Sequence, residues 1–162
     1  MIWHLLCIDP GPLTSGVVIL DGDRINLAMA EVDNAELRTW YLLRHDSVVV
    51  IEKVESYGMA VGADVFATCV EIGRFIQAAE GHPGRVHLIG RKAVKLALCN
   101  SMRAKATHLR QAIIDRYPAT GGGKVPQVGT KKLPGPLYGV KSHAWSALAL
   151  GLAWRDLQEA KP

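Results

Sequence analysis

The stretch WHLLCIDPGPLTSGVVILDGD, residues 3–23, decides the fold. Trp3 to Ile8 is an apolar run, Asp9-Pro10-Gly11-Pro12 breaks it, and Gly16 to Leu20 resumes with Val17, Val18 and Ile19. Asp21-Gly22-Asp23 has Asp-Gly turn chemistry, so Arg24 to Val32 should run back as a third strand and complete an antiparallel meander.

Downstream the periodicity changes from two to that of a helix. Asn34 is placed to cap a helix from Ala35 to about Arg44, with Leu37, Trp40 and Tyr41 as its apolar stripe. Val48-Val49-Val50-Ile51 is a continuous β-branched run, as expected of a strand buried on both faces of a partly parallel sheet, and Glu52 stands at its end. From 63 to 79, Val65, Phe66, Cys69, Val70, Ile72, Gly73 and Ile76 recur at helical spacing, and Gly81-His82-Pro83-Gly84 stops that helix. Residues 85–89 form a fifth strand, and helical patterns follow at 93–99, 104–117 and about 141–157. The order predicts an α/β chain of ribonuclease H-like fold: a five-stranded mixed sheet, meander first, with helices on both faces.

The length of 162 residues predicts a single domain over 1–162, with a flexible, basic, Gly- and Pro-rich loop at about 118–137. Mean hydropathy of +0.11 and 49% hydrophobic residues argue against a disordered tail. Without a long unbroken apolar run or a basic leader, the expectation is a soluble cytoplasmic protein with no membrane partner. Cys7, Cys69 and Cys99 are odd in number and far apart, which fits buried free thiols rather than disulfides or a zinc knuckle.

A net charge of +4 conceals two unlike parts. Residues 1–84 carry five Lys/Arg against twelve Asp/Glu, a net of −7, whereas residues 85–141 carry twelve Lys/Arg against Asp115 alone, a net of +11. A polyanion is the natural partner for the second part.

Asp9 ends the first strand directly before Pro-Gly, and Glu52 holds the equivalent place on the fourth. If those strands are neighbours, both carboxylates project from one sheet edge, and two ionised carboxylates held together call for a cation such as Mg²⁺ or Mn²⁺. Glu55, three residues on, reaches the same place only if the strand turns at Lys53-Val54. His143 opens the last helix on one face with Ser146, Ala147 and Leu150, so it stands at the mouth while the others run inward. If that helix end meets Asp9, a neutral imidazole can ligate metal or act as a base. Arg103, Lys105 and Arg110 lie in and beside the 104–117 helix and Lys131 and Lys132 in the loop, where they can neutralise phosphates; Tyr57 and Tyr138 can stack on unpaired bases.

The residues together resemble the RuvC-like Holliday junction resolvases, in particular their bacteriophage-type members. Cys7-Ile8-Asp9-Pro10-Gly11 through Ser15-Gly16 looks like the family's opening strand, and Val49-Val50-Ile51-Glu52-Lys53-Val54 like its second acidic strand. Ser56-Tyr57-Gly58-Met59, Gly90-Arg91-Lys92-Ala93-Val94-Lys95, Gly129 to Lys132, Gly135 to Gly139 and His143 to Ala149 follow the phage-type pattern in order. The resemblance implies a homodimer that cuts two strands of a four-way DNA junction with Mg²⁺, or Mn²⁺ in its place, by two-metal hydrolysis. It assigns the metal to Asp9 and Glu52, with His143 completing the site or activating water, and Lys105 to the scissile phosphate. Arg91 and Lys95 join Tyr57, Arg103, Lys131 and Lys132 as expected DNA contacts. Ser146 departs from the pattern, falling where many cellular members carry a further Asp, and this motivates a second reading as a branched-DNA-binding protein with little or no catalysis. A sugar-kinase or actin-like ATPase would need a second such half and another phosphate loop, so no nucleotide cofactor is expected. The expected setting is the cytoplasm, of a host if the gene is phage-borne.

Overall fold

Alternation along the first strand fixes which side chains face which layer. In the computed structural model, which describes residues 4–43, 47–79 and 85–161, β1 (His4–Asp9) sends Leu5 and Cys7 into one core and Leu6 and Ile8 into another. A strand with both sets buried must lie inside a three-layer sandwich. It pairs antiparallel with β2 (Thr14–Asp21), which pairs antiparallel with β3 (Arg24–Asp33). Gly22 takes φ +58° in the turn between them, a left-handed conformation that glycine adopts without strain.

The other edge of β1 pairs in parallel with β4 (Val48–Lys53), and β4 in parallel with β5 (Val86–Gly90), giving the order β3-β2-β1-β4-β5. Val49, Val50 and Ile51 are buried on alternating faces, as their branched run predicted. The ribonuclease H-like arrangement expected from the element order is present: a meander extended by parallel strands.

One face carries α1 (Asn34–Leu43) and α2 (Ala63–Ala78), whose Leu37, Ile72 and Phe75 pack on Leu6, Ile8, Val17 and Ile51. The other carries α3 (Arg91–Cys99), α4 (Ala106–Arg116) and α5 (His143–Glu159). Eight consecutive or near-consecutive residues of α5, Ala144 and Ala147 to Ala153, are buried, as befits a helix apolar almost all round. It crosses close to the sheet: a β-carbon on Gly151 would come 2.4 Å from the Cys7 sulfur.

Several local expectations differ from the structure. Asp33, not Asn34, caps α1, its Oδ1 accepting from the amides of Ala35 and Glu36 at 2.9 and 3.0 Å. Asn34 is buried instead, because its amide is consumed by the turn after β1. In α2 the buried face runs through Thr68, Glu71, Ile72 and Phe75, while Phe66, Cys69 and Val70 are exposed. The buried Glu71 accounts for this rotation, since it joins Arg38 of α1 and Arg74 in a paired network that apolar periodicity cannot reveal. Of the cysteines only Cys7 is buried. Trp3, Arg44 and the 81–84 stop signal lie outside the described residues, as does the side chain of Tyr41.

The Gly/Pro segment holds neither helix nor strand, yet main-chain hydrogen bonds cross it. Gly121 N–H donates to Pro126 O at 2.6 Å, Gly135 N–H to Val128 O at 3.0 Å and Leu137 N–H to Gln127 O at 2.9 Å. β-Carbons on Gly129 or Gly135 would come within 2.2 Å of backbone oxygens, so backbone packs on backbone. The flexibility expected of this loop therefore meets a ladder of main-chain bonds, and the buried Leu137 anchors it to the core.

Candidate active site

The parallel pairing of β1 and β4 carries both chains to the same sheet edge. Ile8 pairs with Ile51, so Asp9 and Glu52 are the next residues out on adjacent strands, and both line one cleft with Pro10, Lys53, Glu55, Tyr57 and Arg91. Burial pushes both carboxyls above their ordinary range; for Glu52 the charge of Asp9 adds to the rise. The two groups therefore repel each other in poorly hydrated surroundings, the setting that a divalent cation relieves.

His143 arrives from the far end of the chain. Its Nδ1 lies 3.1 Å from Asp9 Oδ2, and because an ionised carboxylate can only accept, Nδ1 carries the proton and Nε2 is left free. Ser146, one turn later, lines the same cleft as Asp9 and His143, and both His143 and Ser146 oppose the rise in the Asp9 pKa. Docking of this helix end depends on Gly16, which pairs with Asp9 across β1/β2 and faces the His143 backbone with no room for a side chain. The β2/β3 register shifts at this point, between Ser15 and Val17, and irregular strands next to functional groups are a common device for aiming side chains. A glycine inside a strand is the sequence signal for such an approach.

The turn that follows Asp9 is clasped from beneath. Buried Asn34 accepts from the Ser15 hydroxyl at 2.7 Å and donates from its side-chain amide to Gly11 O at 3.0 Å, while its backbone N–H donates to Leu13 O at 3.0 Å.

Arg91 stands at the start of α3 and points into the acidic cleft rather than away from it. Its Nη1 is 3.3 Å from Glu52 Oε1, and its charge acts on Asp9 as well. Expected as a DNA contact, it stands in this structure as the counter-ion of the carboxylate pair. Glu55 shares the cleft, occupying space that only Gly90 can leave, but its oxygens turn to Lys53 at 3.6 Å and the Tyr57 hydroxyl at 3.3 Å. Among the described residues, no three His, Cys, Asp or Glu side chains converge into a complete metal cage. Hard oxygen donors from two carboxylates nonetheless suit Mg²⁺ or Mn²⁺, which commonly take one or two carboxylates and fill their remaining positions with water and substrate phosphate.

The other expected residues spread around this centre. Tyr57 is half-exposed with Lys92 Nζ 4.6 Å over its ring, and Lys95 follows on α3. Arg103 is exposed, and Lys105 precedes α4, where its backbone N–H donates to His108 Nδ1 at 3.0 Å. Lys105 is not brought to Asp9 or Glu52 by any described contact. Lys131 and Lys132 are exposed on the glycine-packed loop.

No family model and no curated protein matches this sequence. Solved structures do. A Thermus thermophilus RuvC structure superposes with a TM-score of 0.67 at 18% identity, covering 97% of this chain and 96% of that one. T. thermophilus RuvC in complex with a Holliday junction substrate superposes with a TM-score of 0.62 at 19% identity, covering 99% of each. The chain shares the ribonuclease H-like fold of RuvC over essentially its whole length.

Proposed function

We propose that this chain is a metal-dependent, structure-selective endonuclease that hydrolyses phosphodiester bonds in four-way or otherwise branched DNA, working as a homodimer in the cytoplasm of a cell or of a phage host. The observation that carries the reading is the place of Asp9, beside Glu52 on the adjacent strand at one sheet edge and 3.1 Å from His143 at the start of α5. The RuvC fold and the basic 85–141 segment add support, as does the junction bound by the fold neighbour.

Divalent ions held by Asp9 and Glu52 would supply the activation of water and the charge stabilisation of the leaving 3′ oxygen. Asp9 and Glu52 provide the fixed negative charge that holds them, and Asn34 keeps the turn behind Asp9 from shifting. His143 offers its free Nε2 at the cleft mouth to orient water or accept its proton. Arg91, freed from Glu52, can meet a phosphate oxygen of the bound strand. Lys131, Lys132, Arg103, Lys95 and Tyr57 contact the DNA arms, and Lys105 reaches the strand from the α4 side. Two such sites in a dimer suit a junction of near two-fold symmetry.

A cleavage assay on four-way junctions, forks and flaps with Mg²⁺ or Mn²⁺ tests this. Nicks bearing 5′ phosphates are expected, reduced roughly 10³-fold or more by Asp9→Asn or Glu52→Gln with junction affinity retained. Junctions bound yet left intact under both metals would instead establish the binding-only reading that Ser146 motivates.

A further inference from the structure

On the far side of Ser146 from the carboxylates lies a cleft of about 490 Å³ between α4 and the start of α5. Thr107 and Arg110 form one wall and Lys141, Ser142, Trp145 and Ser146 the other, and among the described residues no acidic side chain lines it. The Arg110 guanidinium carbon sits 4.6 Å over the Trp145 ring. Ser142 holds φ at +42°, a conformation rare outside glycine, in the turn that swings α5 into place. Because Ser146 lines both this cleft and the one that holds Asp9 and His143, the cleft and the acidic site share a wall.

These groups form a recognisable chemical set. An indole and a planar guanidinium give flat, polarisable surfaces for a base, two cations meet phosphate, and hydroxyls can read a base edge. An arginine already laid on a tryptophan has given up much of its rotamer freedom, so its fork is preorganised. A duplex offers this cleft only base edges, since the faces are covered by stacking, whereas a strand that bends away at a branch point can turn a base outward.

We infer that this cleft receives one unpaired nucleotide next to the phosphate held at Asp9 and Glu52, its base set against the Arg110–Trp145 pair. The inference deepens the nuclease reading and rests on it for the adjacent phosphate. It makes the cut depend on the base beside it, through contacts that do no chemistry.

Two measurements test it, using the unmutated protein, Arg110→Gln, Trp145→Phe and Trp145→Leu. The first maps nicks on junctions that differ only in the bases flanking the cut. The second titrates the oligonucleotide dT4, and an abasic tetramer of equal charge, in EDTA, followed by calorimetry. The expected result is a base preference that flattens in Arg110→Gln and Trp145→Leu and partly survives in Trp145→Phe, with dT4 affinity falling about tenfold in the first two. Arg110 is exposed, so its variant should fold even if Trp145→Leu does not. Unchanged preference and unchanged dT4 affinity in Arg110→Gln overturn the inference, as does an abasic tetramer that binds as well as dT4. If dT4 binds through Arg110 while every branched DNA stays uncut, the cleft stands and the nuclease reading falls.

Discussion

A β-carbon placed on Gly16 would stand 2.7 Å from the β-carbon of His143 and 2.6 Å from its carbonyl. No rotamer change relieves that contact, because the obstruction is the backbone of α5 itself. Gly16→Ala should therefore push the helix start away from Asp9. Overpacking of this kind costs about 1–3 kcal/mol, expected as a lowered thermal midpoint, and DNA cleavage should fall further than the stability loss explains because His143 Nδ1 leaves Asp9.

Asp9 and Glu52 make stability depend on pH in an unusual direction. Their folded carboxyls bind protons more tightly than unfolded ones, whose ordinary values are 3.8 and 4.5. The folded state thus gains most below those values and loses that gain as pH rises through the raised folded ones. In EDTA, urea midpoints should decline from acidic toward neutral pH across that window. Mg²⁺ should restore them at neutral pH, and Asp9→Asn should flatten the decline.

Removing Arg91 should separate metal affinity from catalysis. Arg91→Gln takes away the cation that now pairs with Glu52, so Mn²⁺ should bind more tightly, by roughly 3- to 10-fold once the partial exposure of the pair is allowed for. The cleavage rate should fall, because no guanidinium remains to meet the phosphate. Calorimetry of Mn²⁺ binding beside a single-turnover assay reads both; weaker metal binding would show that Arg91 is not a competitor for the site.

Lys131 and Lys132 belong to a loop whose shape comes from glycine packing, so their side chains can be removed without disturbing it. The Lys131→Ala/Lys132→Ala double variant should keep its thermal midpoint while the slope of log affinity for junction DNA against log salt becomes shallower by about 2. An unchanged slope would remove both lysines from the DNA contact.

Much of the architecture was legible because it depends on local periodicity and turn chemistry. The Leu5–Ile8 alternation, the Asp-Gly turn and the Val48–Ile51 run each state how a strand must be buried. The convergence of Asp9 with Glu52 followed from strand adjacency, and His143 from helix phase. What escaped depends on partners distant in sequence. Glu71 turns α2 through arginines on two elements, Asn34 serves a turn more than twenty residues earlier, and Arg91 finds Glu52 across a parallel strand pair. The packing of the loop escaped for a different reason: many glycines signal freedom in an isolated chain, whereas here they also permit backbone to lie against backbone.

The joining of Asp9 to His143 spans 134 positions of the chain. During synthesis β1 and β4 leave the ribosome long before α5, whose buried residues cover Leu5, Cys7, Val18 and Val50 on one face of the sheet. A copy truncated before α5 would therefore carry both carboxylates but neither the imidazole beside Asp9 nor the cover for that face of the sheet.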